Sequence, residues 1–526
     1  MGKGILGNKD GRWKSVVVIG GLILAFFIAD RFFTAVANYY FPSSIVPITV
    51  GVIHIVFICF CIVAVLGYSI SSTYRRRTGR NFLEDRLTYN KTYHELVRFY
   101  EDADPYQLDT STLPQKNWKD ADGIILGKVG DRLIYRPTDG EGNLAVFALP
   151  GGGKTTAQLV PSALRFGGSV LAVDIKGDIL NQTKNSRTIK VFAPDDPTHS
   201  YHYNPMARVP YMTVDERRTY IEQLSMILLP DSQEKDGKYF VDGGRDFFCG
   251  IALFLLDQEP ETTLPDIATA IVTGNVFTWA KQIDASSCQA ARAYVSAYIG
   301  TNEKNVAGAF GTIVKALRPF SDGNLAKLLV PNDTCITPEM LDEGYDIYIE
   351  IPQDKMKYYT PITTVLVNDF MRFFMQRPDK STGEILRPIL FLLDEFPQLR
   401  FDYDTVTEAL ATLRSKSVTL FLASQSIAQL EQRYGEYGFR AIIGTISYIS
   451  IMSAQDPNDR DYFSRLCGTK KVLKVSVTRG ENNSSRNITE DREPVFQPAD
   501  FGNLGDHVVI YAHGKYVKAE KTYCYK

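Results

Sequence analysis

Hydrophobic positions follow two different patterns along the 526 residues. In the first 80 residues they come in unbroken blocks. Ile45 to Ile70 is a run of 26 residues without Asp, Glu, Lys or Arg, and about 20 apolar residues suffice to cross the hydrocarbon core. An earlier run starts at Val16 (VVVIGGLILAFFIADRFF) and continues more weakly to about Tyr40. Asp30 and Arg31 lie toward its far end, where they can pair or reach the interface. The pattern predicts a membrane anchor over 1–80 with two transmembrane helices, about 16–38 and 45–70. A signal peptide is the competing reading of the first run. Against it, no small-residue cleavage site follows and a second apolar run comes at once. Lys3, Lys9, Arg12 and Lys14 precede the first run, and Arg75, Arg76, Arg77 and Arg80 follow the second. The turn between them is uncharged, so both ends are expected in the cytoplasm. The second basic cluster also suits contact with anionic membrane lipid.

After residue 80 the apolar runs shorten. GNLAVFA reads as a strand by its β-branched and aromatic content. TTAQLVPSALRFG reads as a helix disturbed by Pro161. GSVLAVDIKGD reads as a buried strand ending at Asp174. From about Val209 to Phe320 the spacing is helical throughout, as in ERRTYIEQLSMILL and VAGAFGTIVKALRPF. Strand-like runs resume at YDIYIEIP, RPILFLLDEFPQL and SVTLFLASQS. ENNSSRNITED (481–491) is polar and reads as a loop. Alternating strands and helices predict an α/β fold.

Between the first strand and its helix stands ALPGGGKT, residues 148–155. A phosphate-binding loop needs this strand–loop–helix context. The glycines Gly151, Gly152 and Gly153 let backbone N–H groups, with those after Pro150, curl around an anion, and the helix N-terminus adds its dipole. Lys154 would reach the β- and γ-phosphates of ATP. The Thr155 hydroxyl would ligate Mg²⁺, with Thr156 beside it. The usual first glycine of such loops is Ala148 here. That carries a penalty only if the turn needs φ > 0.

Ile389 to Leu393 are five consecutive apolar residues, suited to a central parallel strand. Asp394 and Glu395 follow at its carboxyl end, where sites in such sheets lie. Asp394 would hold Mg²⁺ through water, and Glu395 would polarise the attacking water as general base. Taken alone, an Asp-Glu pair after a strand is often only surface. Gln425, at the tip of the next strand, stands where related ATPases put a polar residue that senses the γ-phosphate. Arg414 is either an arginine finger acting on a neighbouring subunit or simply a cation at a helix C-terminus.

Charge is balanced, with 58 basic and 60 acidic residues. A polycation is excluded, so any nucleic-acid contact must come from a local patch or a pore. Seven cysteines occur without a C-x-x-C pair or an accompanying His cluster, which argues against a zinc site or disulfide framework.

Together these stretches resemble the type IV secretion coupling proteins of the TraG/TraD kind. The resemblance is carried by the anchor, VLAVDIKGD, VFAPDDPTHSYHYNP, FVDGGRDFFCGIALFL, FLLDEFPQL, ATLRSKSVTLFLASQSIAQLEQRYG and ISIMSAQDPNDRDYFSRLCGT. It covers nearly all of residues 10–525. It implies a RecA-like P-loop NTPase formed by 81–208 and 321–526, with an all-α domain, 209–320, inserted. It further implies a hexameric homo-oligomer in the bacterial inner membrane. Such a ring hydrolyses ATP with Mg²⁺ and passes relaxase-bound single-stranded DNA to the components of a secretion channel. Two other readings stay open. The same ring can serve as a receptor for protein effectors without DNA, or the chain can be a DNA translocase of the FtsK kind. The latter usually has four or more membrane helices and a winged-helix tail. A membrane scaffold with a dead loop is disfavoured by the intact Lys154, Thr155, Asp394 and Glu395. Some relatives carry long tails that dock adapters, for which no counterpart is expected here.

Overall fold

The computed structural model describes residues 31–32, 34–36, 39, 95–100, 113–232, 237–380, 385–479 and 484–524. The two expected membrane spans, 16–38 and 45–70, lie outside the described residues except for helical positions 31–32 and 34–36. Among the described residues no helix is long and apolar enough to cross a membrane. The chain divides into two compact units. One is Met1–Asp104 with Lys471–Glu493, and the other is Pro105–Lys470 with Pro494–Lys526.

The described strands, in chain order, are β1 (Glu95–Tyr100), β2 (Gln115–Lys116), β3 (Gly123–Val129), β4 (Arg132–Pro137), β5 (Asn143–Phe147), β6 (Ser169–Ile175), β7 (Ile189–Phe192), β8 (Asp346–Ile351), β9 (Ile389–Leu393), β10 (Val418–Ser424), β11 (Ile446–Ile451), β12 (Thr469–Arg479), β13 (Ser484–Pro494), β14 (His507–Ala512) and β15 (Lys515–Glu520).

The smaller unit holds a three-stranded sheet in the order β1-β12-β13, with β1 and β12 antiparallel. The polar stretch 481–491, expected as a loop, is a strand from Ser484 onward. Polarity there reports exposure of the side chains, since Ile488 to Arg492 face solvent or nearly so. It says nothing of whether the backbone is paired, and a ladder satisfies those N–H and C=O groups regardless. Lys471 and Glu490 form an ion pair of 2.6 Å. Residues 471–493, inside the segment expected to complete the NTPase, therefore group with the N-terminal unit instead.

The larger unit is built on a twelve-stranded sheet, ordered β2-β4-β3-β15-β14-β11-β5-β10-β9-β6-β8-β7. From β11 to β7 neighbouring strands are parallel. From β11 outward through β14, β15, β3, β4 and β2 they are antiparallel. Parallel strands are covered on both faces, so they read as continuous apolar runs. Strand β9 shows how one run serves two cores. Ile389, Phe391 and Leu393 join one cluster, while Leu390 and Leu392 join the cluster on the other face. Each such side chain contributes about 1.5–3 kcal/mol by burial.

Between β7 and β8 the described elements are helical: Val214–Leu228, Gly237–Gln258, Leu264–Thr273, Val276–Asp284, Gln289–Val295, Glu303–Ser321 and Gly323–Leu328 among them. Thr213 and Glu216 start the first with a reciprocal capping box. Despite this long insertion, β8 returns between β6 and β7. The helical run reaches Leu328, some way past the expected boundary at 320.

Two buried polar residues set the register around β5. Asn143 donates from Nδ2 to the Leu410 carbonyl and accepts from the Leu420 N–H, both at 3.0 Å. Gln158 donates to the Leu126 carbonyl and to Ser450 Oγ, both at 2.7 Å. Gln158 lies in a π-helical turn, Thr155–Leu159, that runs into an α-helix at Val160–Arg165. Pro161 offers no N–H to the preceding turn, which accords with the wider spacing there.

Candidate functional site at the carboxyl ends of the parallel strands

The loop 148–155 leaves β5 where that strand is flanked by β10 and β11. The Ala148 N–H still donates to the Ser424 carbonyl at 3.1 Å, so the sheet ladder runs into the loop. Among the described residues, four non-glycine residues have positive φ, and Ala148 is not one of them. Its methyl is fully buried in the core face beneath the loop. The first consensus glycine is thus unnecessary here, because the turn asks for no left-handed residue at that place. The left-handed positions are Gly151 (φ 76°) and Gly153 (φ 93°), where side chains are disfavoured. Leu149 N–H donates to Ser453 Oγ at 3.0 Å, which ties the loop to the residues after β11.

Strand β9 ends in Asp394 and Glu395. Glu395 adopts the left-handed conformation (φ 50°, ψ 42°), a cost on the order of 1–3 kcal/mol for a residue with a Cβ. That turn directs its carboxylate back toward the loop. The Lys154 ammonium lies 3.0 Å from Asp394 Oδ1 and pairs as well with Glu395 Oε1. All three side chains are close to dry, with 11%, 5% and 11% of their surfaces exposed for Lys154, Asp394 and Glu395. Gln425, just past β10, donates from Nε2 to Glu395 Oε1 at 2.9 Å. Glu395 N–H donates to Asp394 Oδ1 at 3.0 Å. Burial raises the Asp394 carboxyl above its ordinary range, and the Lys154 charge opposes that rise.

Lys154, Asp394, Glu395 and Gln425 therefore meet in one cluster, although 271 positions separate the first from the last (425 − 154). Thr155 and Thr156 open the π-turn beside it, and Pro150 sits at the loop's tip. Arg414 stands elsewhere. It lies in the 3₁₀ turn Leu413–Lys416 before β10, lining a small cavity with Glu141, Lys380 and Thr419. That is the amino end of the strands. The seven residues of β10 set it roughly 20 Å from its own loop.

Three nearby residues were given no role by the sequence. Ser453 anchors the loop, and Gln398 Nε2 approaches Glu395 Oε2 at 3.5 Å. Asp174, at the end of β6, is fully buried and accepts from the Leu180 N–H at 2.8 Å. Burial, reinforced by Asp394 and Glu350, raises its carboxyl to about 7 despite that hydrogen bond. Only the pairing of β6 with β9, Val173 opposite Leu393, sets it beside the Asp394 strand.

A Mg²⁺ ion commonly takes one or two protein ligands and leaves the rest to phosphate and water. Thr155 and Asp394 fit that demand, being a hydroxyl and a buried carboxylate on the two elements that meet here. Among the described residues no group of three or more His, Cys, Asp or Glu forms an all-protein metal cage.

Known proteins are similar to this chain over most of its length. The "Probable conjugal transfer protein TraG" of Sinorhizobium fredii is 23% identical over 475 residues, covering 84% of this chain and 72% of that protein. The "Type IV secretion system-coupling protein VirD4" of Bartonella quintana is 22% identical over 392 residues, 71% of this chain and 60% of that one. The plasmid coupling protein TrwB, solved with the non-hydrolysable ATP analogue ADPNP, superposes with a TM-score of 0.59 at 15% identity, over 79% of this chain and 91% of that one. The last likeness shows a shared fold. Residues 108–526 match the profile described as "Type IV secretory system Conjugative DNA transfer". With four-fifths of its length so matched, the chain belongs to that family.

Proposed function

We propose that this chain is the ATPase that couples substrate recruitment to a type IV secretion channel. The observation that carries this reading is the cluster of Lys154, Asp394, Glu395 and Gln425 at the mouth of the glycine loop. In this reading the loop N–H groups from Gly151 to Thr156 hold the phosphates of ATP. Lys154 leaves its carboxylate partners to reach the β- and γ-phosphate oxygens. Thr155 and, through water, Asp394 would hold Mg²⁺, which would supply positive charge against the developing phosphate charge. Freed of the lysine, Glu395 accepts a proton from the water that attacks the γ-phosphorus. The bond to the β–γ bridging oxygen breaks and ADP leaves with that oxygen. Gln425 holds the Glu395 carboxylate in line through its amide. TrwB structures with ADPNP and with ADP and Mg²⁺ accord with these ligands.

In this reading the chain is held at the cytoplasmic face of the inner membrane by the anchor expected over 1–80. Six copies form a ring, and Arg414 of one copy stabilises the γ-phosphate charge in the next. Relaxase-bound single-stranded DNA is the substrate, held by salt-dependent backbone contacts. The test is ATP hydrolysis by the full chain in detergent, with and without single-stranded DNA, and with Glu395→Gln as control. Turnover that DNA stimulates and the control abolishes supports the DNA motor. DNA-indifferent turnover supports the protein-effector coupler instead. Absence of turnover at any DNA concentration refutes the ATPase reading.

A further inference from the structure

The ring of Tyr523 stands against the glycine loop. A methyl group placed on Gly153 would lie 3.4 Å from Tyr523 Cε1, 3.5 Å from its hydroxyl oxygen and 3.7 Å from Ala157 Cβ. Ring, Gly153 and Ala157 thus line one surface where the loop turns into the helix. The segment that carries the ring is tied down on both sides. Lys521 N–H donates to the Asp506 carbonyl at 2.8 Å, and its ammonium to the Gly505 carbonyl at 2.7 Å. The Tyr523 hydroxyl donates to Asp506 Oδ1 at 3.2 Å, and the Cys524 thiol to Gln182 Oε1 at 2.6 Å. A ring already ordered in this way loses little freedom when a ligand arrives.

The direction of a bound triphosphate follows from the cluster described above. Glu395 and Gln425 mark the end at which the γ-phosphate reacts, on the side of β9 and β10. The nucleoside must leave the loop on the other side. Strand β15, from which Lys521–Cys524 continues, lies on the side of β5 away from β9 and β10. Tyr523 also borders an open cleft of 650 Å³, whose walls include Trp118, Lys128, His507 and Thr522. That volume is within the roughly 300–1,000 Å³ of small-molecule sites.

We propose that Tyr523 is the platform for the nucleobase, and that the cleft beside it takes base and ribose. This rests on the nucleotide reading of the loop and adds the residue that holds the nucleoside. Stacking on an aromatic face tolerates every base, so the platform secures the nucleotide without selecting adenine over guanine.

The test is binding to the full chain in detergent, measured by calorimetry. The probes are Mg-ATP, Mg-GTP and inorganic tripolyphosphate, which has no base. Tyr523→Ala is expected to weaken ATP and GTP alike, by roughly tenfold or more, and to leave tripolyphosphate affinity unchanged. The retained tripolyphosphate site also shows that the variant is folded. Tyr523→Phe, which keeps the ring, restores most of the loss. If Tyr523→Ala binds ATP as tightly as the parent while Lys154→Ala does not bind it, the platform is refuted and the nucleotide site stands. If Tyr523→Ala loses ATP and tripolyphosphate equally, the ring merely shapes the loop and the platform is again refuted. A parent protein that binds none of the three probes refutes both.

Discussion

Lys154 Nζ lies 3.0 Å from Asp394 Oδ1 and pairs also with Glu395, so one cation bridges both carboxylates beyond β9. Without it, two nearly dry carboxylates would face each other. Lys154→Ala should therefore lower stability as well as abolish turnover. Breaking a buried pair by removing one partner costs roughly 3 kcal/mol. Thermal denaturation should show that loss in full at pH 8. It should be smaller at lower pH, where the Asp394 carboxyl, raised by burial, protonates. An unchanged melting temperature at pH 8 would mean the ammonium is not seated between them.

Glu395 and Gln425 should separate in kinetics. Glu395→Gln keeps a side chain of the same shape and removes the proton acceptor. Single-turnover hydrolysis should fall by roughly 10²–10⁴-fold with ATP still bound. Gln425→Ala leaves the base in place and removes its 2.9 Å contact, so a loss of only about tenfold is expected. Equal losses would mean that Gln425 touches the reacting phosphate itself.

Arg414 sits at the amino end of β10, far from its own loop. Arg414→Ala should bind ATP normally yet turn over poorly. Mixing Arg414→Ala with Lys154→Ala subunits should recover part of the activity, because some sites then pair an intact loop with an intact arginine. No recovery in mixed rings would reduce Arg414 to a helix-end cation.

Ala148→Gly restores the consensus loop, yet no gain in nucleotide affinity is expected. The position has no positive φ, and its methyl is buried. The substitution should cost about 1 kcal/mol from the lost methyl and the added backbone freedom. Chemical denaturation measures the cost, and titration with ATP checks the affinity.

Asp369, on the helix Met356–Met375 between β8 and β9, links the helical insertion to the sheet. It accepts from the Tyr203 hydroxyl at 2.5 Å and from the Tyr220 hydroxyl at 3.0 Å. Burial raises its carboxyl to about 6 in spite of both hydrogen bonds and the nearby Arg372 and Arg208. A carboxyl raised in the folded state favours folding when protonated. That contribution is complete below pH 4 and is lost as pH rises through 6. Asp369→Asn should flatten this slope of stability between pH 4 and 7. An identical slope in the variant would show that other groups set it.

By itself the sequence determined many of the elements and the glycine loop between strand and helix. Periodicity showed the buried strand Ile389–Leu393 and the helical stretch beginning near 209, because burial on two faces or one leaves a local trace. Spacing marked Lys154 and Thr155 as candidates, because a phosphate loop is a local backbone structure. The acids of β9 and the amide after β10 were legible as strand tips, since parallel sheets put their sites there. Tertiary structure alone decided the rest. The strand at Ser484–Pro494 was hidden because pairing satisfies the backbone whatever the side chains show. Ser453, Asp174 and Tyr523 come to the loop only through sheet order and chain return, and no local pattern records which distant segment arrives. Ala148 is the simplest case: the sequence posed the question of its missing glycine, and a backbone angle answered it.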